Sequence, residues 1–357
     1  MLPMHLFKDL SCNTMIPSVQ WPPIMDLDST RLLLMLDYFE EVSQWLPEAH
    51  LLEHQFTQLH SLVVHAKANT QFYRGHLHAL PQYSSPQELR AHWGALPVVT
   101  TEQLIANNRH FFSENPLVAH GPSSSVLCHV GSESIQLLKN NAVDLIDNVL
   151  IVRDCLWNHR IFKETAARLF ASDKTSHTSQ GDWGHPFSNL LETGSMHFMH
   201  ASSPAEQAAF LAKNQPGYLF CTAKSWNNLF DYYCNNAIGN WSVKEIIIED
   251  EPLTPMVRQW TEEIMNTAIS DRYARADCGI IALRCPEFGN LHVQAENVFV
   301  EILDDYGNSC AQGLPGRVTI TKLHNFSSPL IRYQVNDRAA LGEACPCKRT
   351  LPVLILV

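Results

Sequence analysis

The sequence has no basic cluster anywhere along its 357 residues, and acidic groups outnumber basic ones, 36 Asp and Glu against 25 Lys and Arg. A formal net charge of −11 argues against a protein that holds nucleic acid through its phosphates. Long apolar runs are missing too. Stretches such as Leu32–Leu36 and Leu351–Val357 fall well short of the roughly 20 residues that span a bilayer, so no membrane partner is expected. Met1 to Trp21 lacks a basic stretch followed by an apolar core, which gives the expectation of no secretory leader and a cytoplasmic, soluble chain. Cysteine, at 10 residues, is too sparse for a disulfide scaffold. Internal repeats and low-complexity tracts are absent. So are His-Glu-x-x-His, which binds catalytic zinc, and Gly-x-Ser-x-Gly, the nucleophile elbow of hydrolases.

Charged residues make up only 17% of the chain and hydrophobic ones 45%, enough apolar surface for a large buried core. Disorder, collagen and coiled coil are thereby excluded. The first stretch reads as helical. Leu52, Phe56, Leu59 and Val63 form an amphipathic stripe, and Ser85-Pro86 followed by Glu88 has the chemistry of a helix start. Pro97 closes one helix before Val98–Leu104 opens another. From about Pro116, short apolar segments (Val149–Val152, Met196–Met199, Tyr218–Thr222, Glu245–Ile248) alternate with helical stretches such as Pro204–Asn214 and Pro255–Ala268. That alternation predicts an α/β layer with a largely parallel sheet. Ser176–Gly184 reads as an exposed loop. Beyond Cys278 the chain turns β-rich: Asn297–Leu303 and Gly316–Thr321 alternate around a turn at Asp304–Asn308. The expected organisation is a helical part over residues 1–115, an α/β layer over 116–277 and a β-rich closing part over 278–357.

The last 85 or so residues carry an ordered set of strings. Leu291-His292-Val293 is followed by Val300-Glu301-Ile302-Leu303-Asp304-Asp305-Tyr306-Gly307 and then by Gly313-Leu314-Pro315-Gly316-Arg317-Val318-Thr319-Ile320-Thr321. Pro329-Leu330-Ile331-Arg332-Tyr333-Gln334-Val335-Asn336-Asp337 and Cys345-Pro346-Cys347-Lys348-Arg349 complete the set. In order and spacing this run resembles the adenylate-forming enzymes of the phenylacetate–CoA ligase and coenzyme F390 synthetase branch. The resemblance implies an α/β fold, the large N-terminal core of such a ligase. Leu96-Pro97-Val98 and Pro252-Leu253-Thr254-Pro255 extend the likeness over most of the chain.

The resemblance assigns roles residue by residue. Asp337 corresponds to the aspartate that holds the ribose hydroxyls of the adenylate, a task suited to a carboxylate that accepts from two vicinal hydroxyls. Tyr273-Ala274-Arg275-Ala276-Asp277-Cys278-Gly279 stands where the family has tyrosine-glycine-x-x-glutamate-x-glycine. Tyr273 corresponds to the ring against adenine, and Asp277 to the glutamate serving Mg²⁺, with one methylene fewer. The phosphate loop falls on His129-Val130-Gly131-Ser132-Glu133-Ser134. It keeps Gly131 and Ser132 as nucleotide-binding candidates, but Glu133 stands where phosphates pass. Facing inward at ~4 Å, that charge would cost about 4 kcal/mol at an effective dielectric of ~20; facing solvent, little. His129 and Asp277 are the candidate catalytic residues. Family members continue into a hinge and a lid domain bearing a lysine. Because the sequence ends at Val357, the expectation is that this lid is absent.

Cys285, His292, Cys345 and Cys347 are the donor set of a closed structural zinc site, three thiolates and one imidazole, and many members of this branch carry the same residues. The alternative is four unrelated buried residues, since free cysteine packs as a small hydrophobe. Cys128 beside the loop is a possible nucleophile if its pKa is low. The remaining histidines, including His54, His60, His65, His76 and His78, read as surface or satisfied core groups.

Two function classes follow. One is an enzyme acting on a small carboxylic acid or activated acyl group, using ATP or AMP with Mg²⁺ and passing the acyl group to an amine or to a thiol such as that of a carrier protein. The other is a degenerate relative serving as a binding module. Glu133, Asp277 and the expected lack of a lid favour the module. Tyr273, Arg332 and Asp337 favour the enzyme, which is the preferred reading.

Overall fold

The computed structural model describes residues 27–115, 123–130, 133–188, 190–236, 242–250 and 253–357. It opens with α1 (Leu27–Glu41), α2 (Glu48–Asn69), α3 (Gln71–His76), α4 (Pro86–Ala91) and α5 (Thr101–Ala106). A hairpin of β1 (Ser124–Val130) and β2 (Glu133–Lys139) leads into α6 (Asn141–Trp157), followed by β3 (Ala166–Phe170), β4 (Ser176–Gln180) and β5 (Met196–His200). Helices and strands then alternate through α7 (Pro204–Asn214), β6 (Tyr218–Cys221), α8 (Ala223–Asn235), β7 (Glu245–Ile248), α9 (Pro255–Met265) and β8 (Ala268–Arg275). The chain closes with β9 (Gly279–Arg284), β10 (Leu291–Val293), β11 (Val298–Leu303), β12 (Gly316–Lys322), β13 (Tyr333–Leu341) and β14 (Val353–Leu356). No described helix is long and apolar enough to cross a membrane.

Two compact units arise from this path: Asn148–Ala274 together with the chain up to Asp37, and Tyr38–Asp147 together with Arg275–Val357. In the first, β5, β3, β6, β7 and β8 run parallel in that order, and β4 adds an antiparallel edge. Parallel strands covered on both faces are continuously apolar, and β6 and β7 are buried at every position. The crossover helices start where the side chains dictate. Ser203 and Thr254 accept from the backbone N–H three residues on, and Pro204 and Pro255 occupy the first turn, where a missing N–H costs nothing. Trp226, Leu229 and Phe230 of α8 pack into a core with Leu219, Ile246 and Ile248.

In the second unit β11, β12, β13, β14, β10 and β9 form an antiparallel sheet in that order. Helix α2 buries Leu51, Phe56, Leu59, Leu62 and Val63, the expected stripe shifted by one position at its start. Ser85 caps α4 as expected, while the Glu88 carboxylate reaches back to Ser84 rather than to Ser85. Thr100 and Gln103 form a reciprocal capping box that fixes the start of α5.

The expected α/β class holds, and two local expectations do not. Val149–Val152 is no strand but the middle of α6. Its aliphatic run reflects burial on several faces, since Val149, Leu150, Val152 and Arg153 are all buried. Ser176–Gly184 begins as the edge strand β4, exposed at every position, and ends at the buried Trp183, whose indole donates to the Glu164 carbonyl (2.8 Å).

Candidate nucleotide site and metal centre

Spacing places Asp337. On either side of it, Arg317 pairs with Arg338 and Thr319 with Gln334, so β12 supplies one residue, Val318, opposite three of β13, Val335 to Asp337. Such a bulge re-aims a side chain out of the ladder. The Asp337 carboxylate is 37% exposed. Arg332 anchors the preceding turn. It adopts a left-handed φ of +49°, is buried, grips Glu301 with two N–H bonds (3.1 and 3.0 Å), and donates to the Leu96 and Gly94 carbonyls. Burial pushes the Glu301 carboxyl above its usual range despite this partner. Arg332 is therefore a structural clamp that sets the register of the strand carrying Asp337.

The turn from β8 to β9 supplies the second part. Gly279 sits at φ +72°, and a Cβ there would meet Asp147 Oδ1 at 2.8 Å and Lys322 Nζ at 2.9 Å, so both backbone and space require glycine. Asp147 accepts from Lys322 (2.9 Å) and Lys139 (3.1 Å); burial alone would raise its carboxyl, but the two ammoniums hold it below the usual range. Two residues before Gly279, the Asp277 side chain is 1% exposed. Arg275 donates Nε–H to its Oδ1 (3.0 Å) and Nη2–H to its Oδ2 (3.1 Å), and the Tyr333 hydroxyl donates to Oδ2 (3.1 Å). Arg275 also extends Nη1–H to Asp337 (3.2 Å), so one guanidinium joins the two carboxylates. Burial and the Asp277 charge push the Tyr333 phenol well above its ordinary range, keeping it a donor.

Of the other expected site residues, Gly131 and Ser132 lie outside the described residues. His129 and Glu133 are exposed on the flanking hairpin, with His129 Nδ1 at 3.0 Å from Ser134 Oγ. Glu133 therefore carries little of the penalty of an inward charge. Cys128 is buried, donates to the Ala276 carbonyl (3.1 Å), and is pushed up to about 11 by burial and by Asp277. A thiol so suppressed is no nucleophile near neutral pH. Tyr273 is buried in β8 and belongs to the other compact unit.

The four cysteine and histidine candidates converge. Cys285 follows β9, His292 is central in β10, and Cys345 and Cys347 lie on the turn before β14; all four donor atoms fall within 4.8 Å of one another. Cys285, His292 and Cys345 are buried. His292 Nε2 is 3.3 Å from Cys347 Sγ, while its Nδ1 lies 3.3 Å from the Leu351 carbonyl, the second contact that orients a ligating imidazole. Asn290 donates to Cys345 Sγ (3.2 Å). Tetrahedral zinc, with bonds of about 2.3 Å to sulfur and 2.0–2.1 Å to nitrogen, spaces its ligand atoms about 3.5–3.8 Å apart, so the donor set and its spacing fit that ion.

No family model matches the sequence, and neither does any curated protein. Solved structures do match. A 2-hydroxyisobutyryl-CoA ligase in an open conformation, in complex with 2-HIB-AMP and CoA, superposes with a TM-score of 0.70 at 17% identity, covering 87% of this chain and 75% of that one. The same ligase in a postadenylation state with R3-HIB-AMP gives 0.69 at 16% identity (87% and 68% covered), and in its thioesterification state 0.67 at 16% (87% and 68%). The chain has the fold of an adenylate-forming ligase core. Arg275, Tyr333 and Thr101, whose hydroxyl lies 3.5 Å from that of Tyr333, were not singled out as site residues from sequence. The one available signal was an arginine two residues before the candidate metal-binding acid.

Proposed function

We propose that this chain is an adenylate-forming-type enzyme that binds AMP or an acyl-adenylate, holding its ribose on Asp337. The substrate would be a small carboxylic acid or its activated acyl group, and the acceptor an amine or a thiol, a carrier-protein thiol included. The observation that carries the reading is the placement of Asp337: a partly exposed carboxylate, lifted out of its ladder by a bulge and steadied by Arg275. A carboxylate so presented accepts from both ribose hydroxyls at once. In the same reading Cys285, His292, Cys345 and Cys347 hold a structural zinc away from the chemistry.

The test is calorimetry with AMP. Asp337→Ala should weaken binding by about 1.5–3 kcal/mol, roughly 10- to 150-fold, the range for hydrogen bonds to a charged acceptor. Because the Arg275–Asp337 pair is over a third exposed on one side, its loss should barely move the melting temperature. Equal AMP affinity for the variant and the parent protein would remove the ribose role and, with it, the support for this function.

A further inference from the structure

The family resemblance implies magnesium at Asp277, and the residues around that carboxylate do not fit the ion. Magnesium needs a free oxygen lone pair at about 2.0–2.1 Å and keeps several of its waters in an octahedral shell. Asp277 leaves at most one lone pair, on Oδ1, and no room for the waters. Its side chain is 1% exposed, Oδ1 accepts from Arg275, and Oδ2 accepts from both Arg275 and Tyr333. Three of the roughly four acceptor positions of the carboxylate are thus filled by protein donors at 3.0–3.1 Å, with no opening for a hydrated ion.

The occupying group is itself a cation, and it is better placed than a metal to serve both acids. Arg275 lies between Asp277 and Asp337, is 21% exposed, and spends three of its five N–H groups on the two carboxylates. Two N–H groups remain for a phosphate oxygen, a partner that a guanidinium matches well. Charge then selects the ligand. With the neighbouring Asp147, Lys139 and Lys322 counted, Asp277, Asp337 and Arg275 belong to a group of three carboxylates and three cations that carries no net charge, whereas a divalent ion in place of Arg275 would leave it positive. Without a divalent ion, the site tolerates the one or two negative charges of an acyl-adenylate or AMP better than the several charges of a triphosphate.

We propose that Arg275 takes the place of magnesium at Asp277, so that the site holds AMP or an acyl-adenylate without divalent metal and discriminates against ATP. The proposal rests on the nucleotide reading above and specifies its ionic requirement. The experiment is calorimetry on the intact chain with AMP, ATP and 5′-O-sulfamoyladenosine as probes, in magnesium-free buffer and with magnesium chloride added. Chelators are avoided, because they would strip the cysteine and histidine centre. AMP and the sulfamate should bind with affinities that magnesium changes by less than about twofold, and ATP should bind at least about tenfold more weakly in both buffers. Arg275→Met should lose about tenfold in AMP affinity without magnesium and regain it when magnesium is added, because Asp277 is then free to take the ion. A tenfold or larger gain in nucleotide affinity for the parent protein on adding magnesium overturns the proposal. An Arg275→Met variant that binds AMP like the parent in both buffers also overturns it, and should the variant fail to fold, the parent comparison decides alone. Failure of every probe to bind in either buffer overturns the nucleotide reading itself.

Discussion

Cys347→Ser is expected to release one zinc ion per chain and to lower the melting temperature by roughly 8–16 °C. Structural zinc binding is folding free energy, about 10–16 kcal/mol in small zinc modules near neutral pH; forfeiting about 4 kcal/mol of it, at 2–4 °C per kcal/mol for a unit of this size, gives that range. The site has leverage because it joins distant points of the chain: Cys285 at the end of β9, His292 in β10, and a turn some 60 residues further on that leads into β14. Cys347 is the informative position. It is partly exposed, so serine leaves no core cavity, and a fall in melting temperature reports the lost ligand rather than lost packing. Cys310→Ser, a partly exposed thiol outside the cluster, is the control and should melt like the parent protein. Elemental analysis that finds no zinc after chelator-free purification, or equal melting of the two serine variants, would sink the assignment.

Ser85-Pro86 marks from sequence a helix start that the structure keeps, because a cap and a proline act locally and owe nothing to distant neighbours. The helical stretches expected from Pro204 and Pro255 also begin at those prolines, each behind a hydroxyl cap. Asn297–Leu303 and Gly316–Thr321 are strands as expected, β11 and β12, although their burial does not alternate: β12 is buried at every position except Arg317. Val149–Val152 was misread because four aliphatic residues in a row look the same in a buried helix as in a buried strand; only length separates them. Among the candidate site residues, Asp337 was named from the family resemblance, and it lies at the bulge of β13. Arg275 was not singled out. Nothing in its sequence neighbourhood says that its guanidinium reaches a carboxylate 62 positions away.

Arg160→Met is expected to speed amide hydrogen exchange across β7 and β8 by at least 10²-fold. The Arg160 side chain is 1% exposed and carries the polar core of its unit. Its Nε and Nη2 donate to both oxygens of Glu245 (2.8 and 2.7 Å), Nη1 to Asp154 (2.8 Å), and Nη2 also to Ser270 (2.7 Å). One guanidinium thus ties α6 to the first residue of β7 and to β8, and it leaves two buried carboxylates behind when removed. Asp154 keeps a distant cation, Arg272 at 3.9 Å, and an amide bond from Asn158, but Glu245 loses both of its guanidinium bonds. Truncating one side of a buried pair costs about 3–5 kcal/mol, chiefly because the abandoned charge stays buried, and this is what the exchange rate reads. The same physics predicts the rescue. Arg160→Met combined with Glu245→Met removes the orphaned charge and fills the space with apolar surface, so the double variant should recover at least half of the protection lost in the single one. Mass-spectrometric exchange localised to residues 245–248 and 268–271 separates this unit from the other. Protection in the single variant equal to that of the parent, or a double variant no better than the single, would show that the network is not what holds these strands.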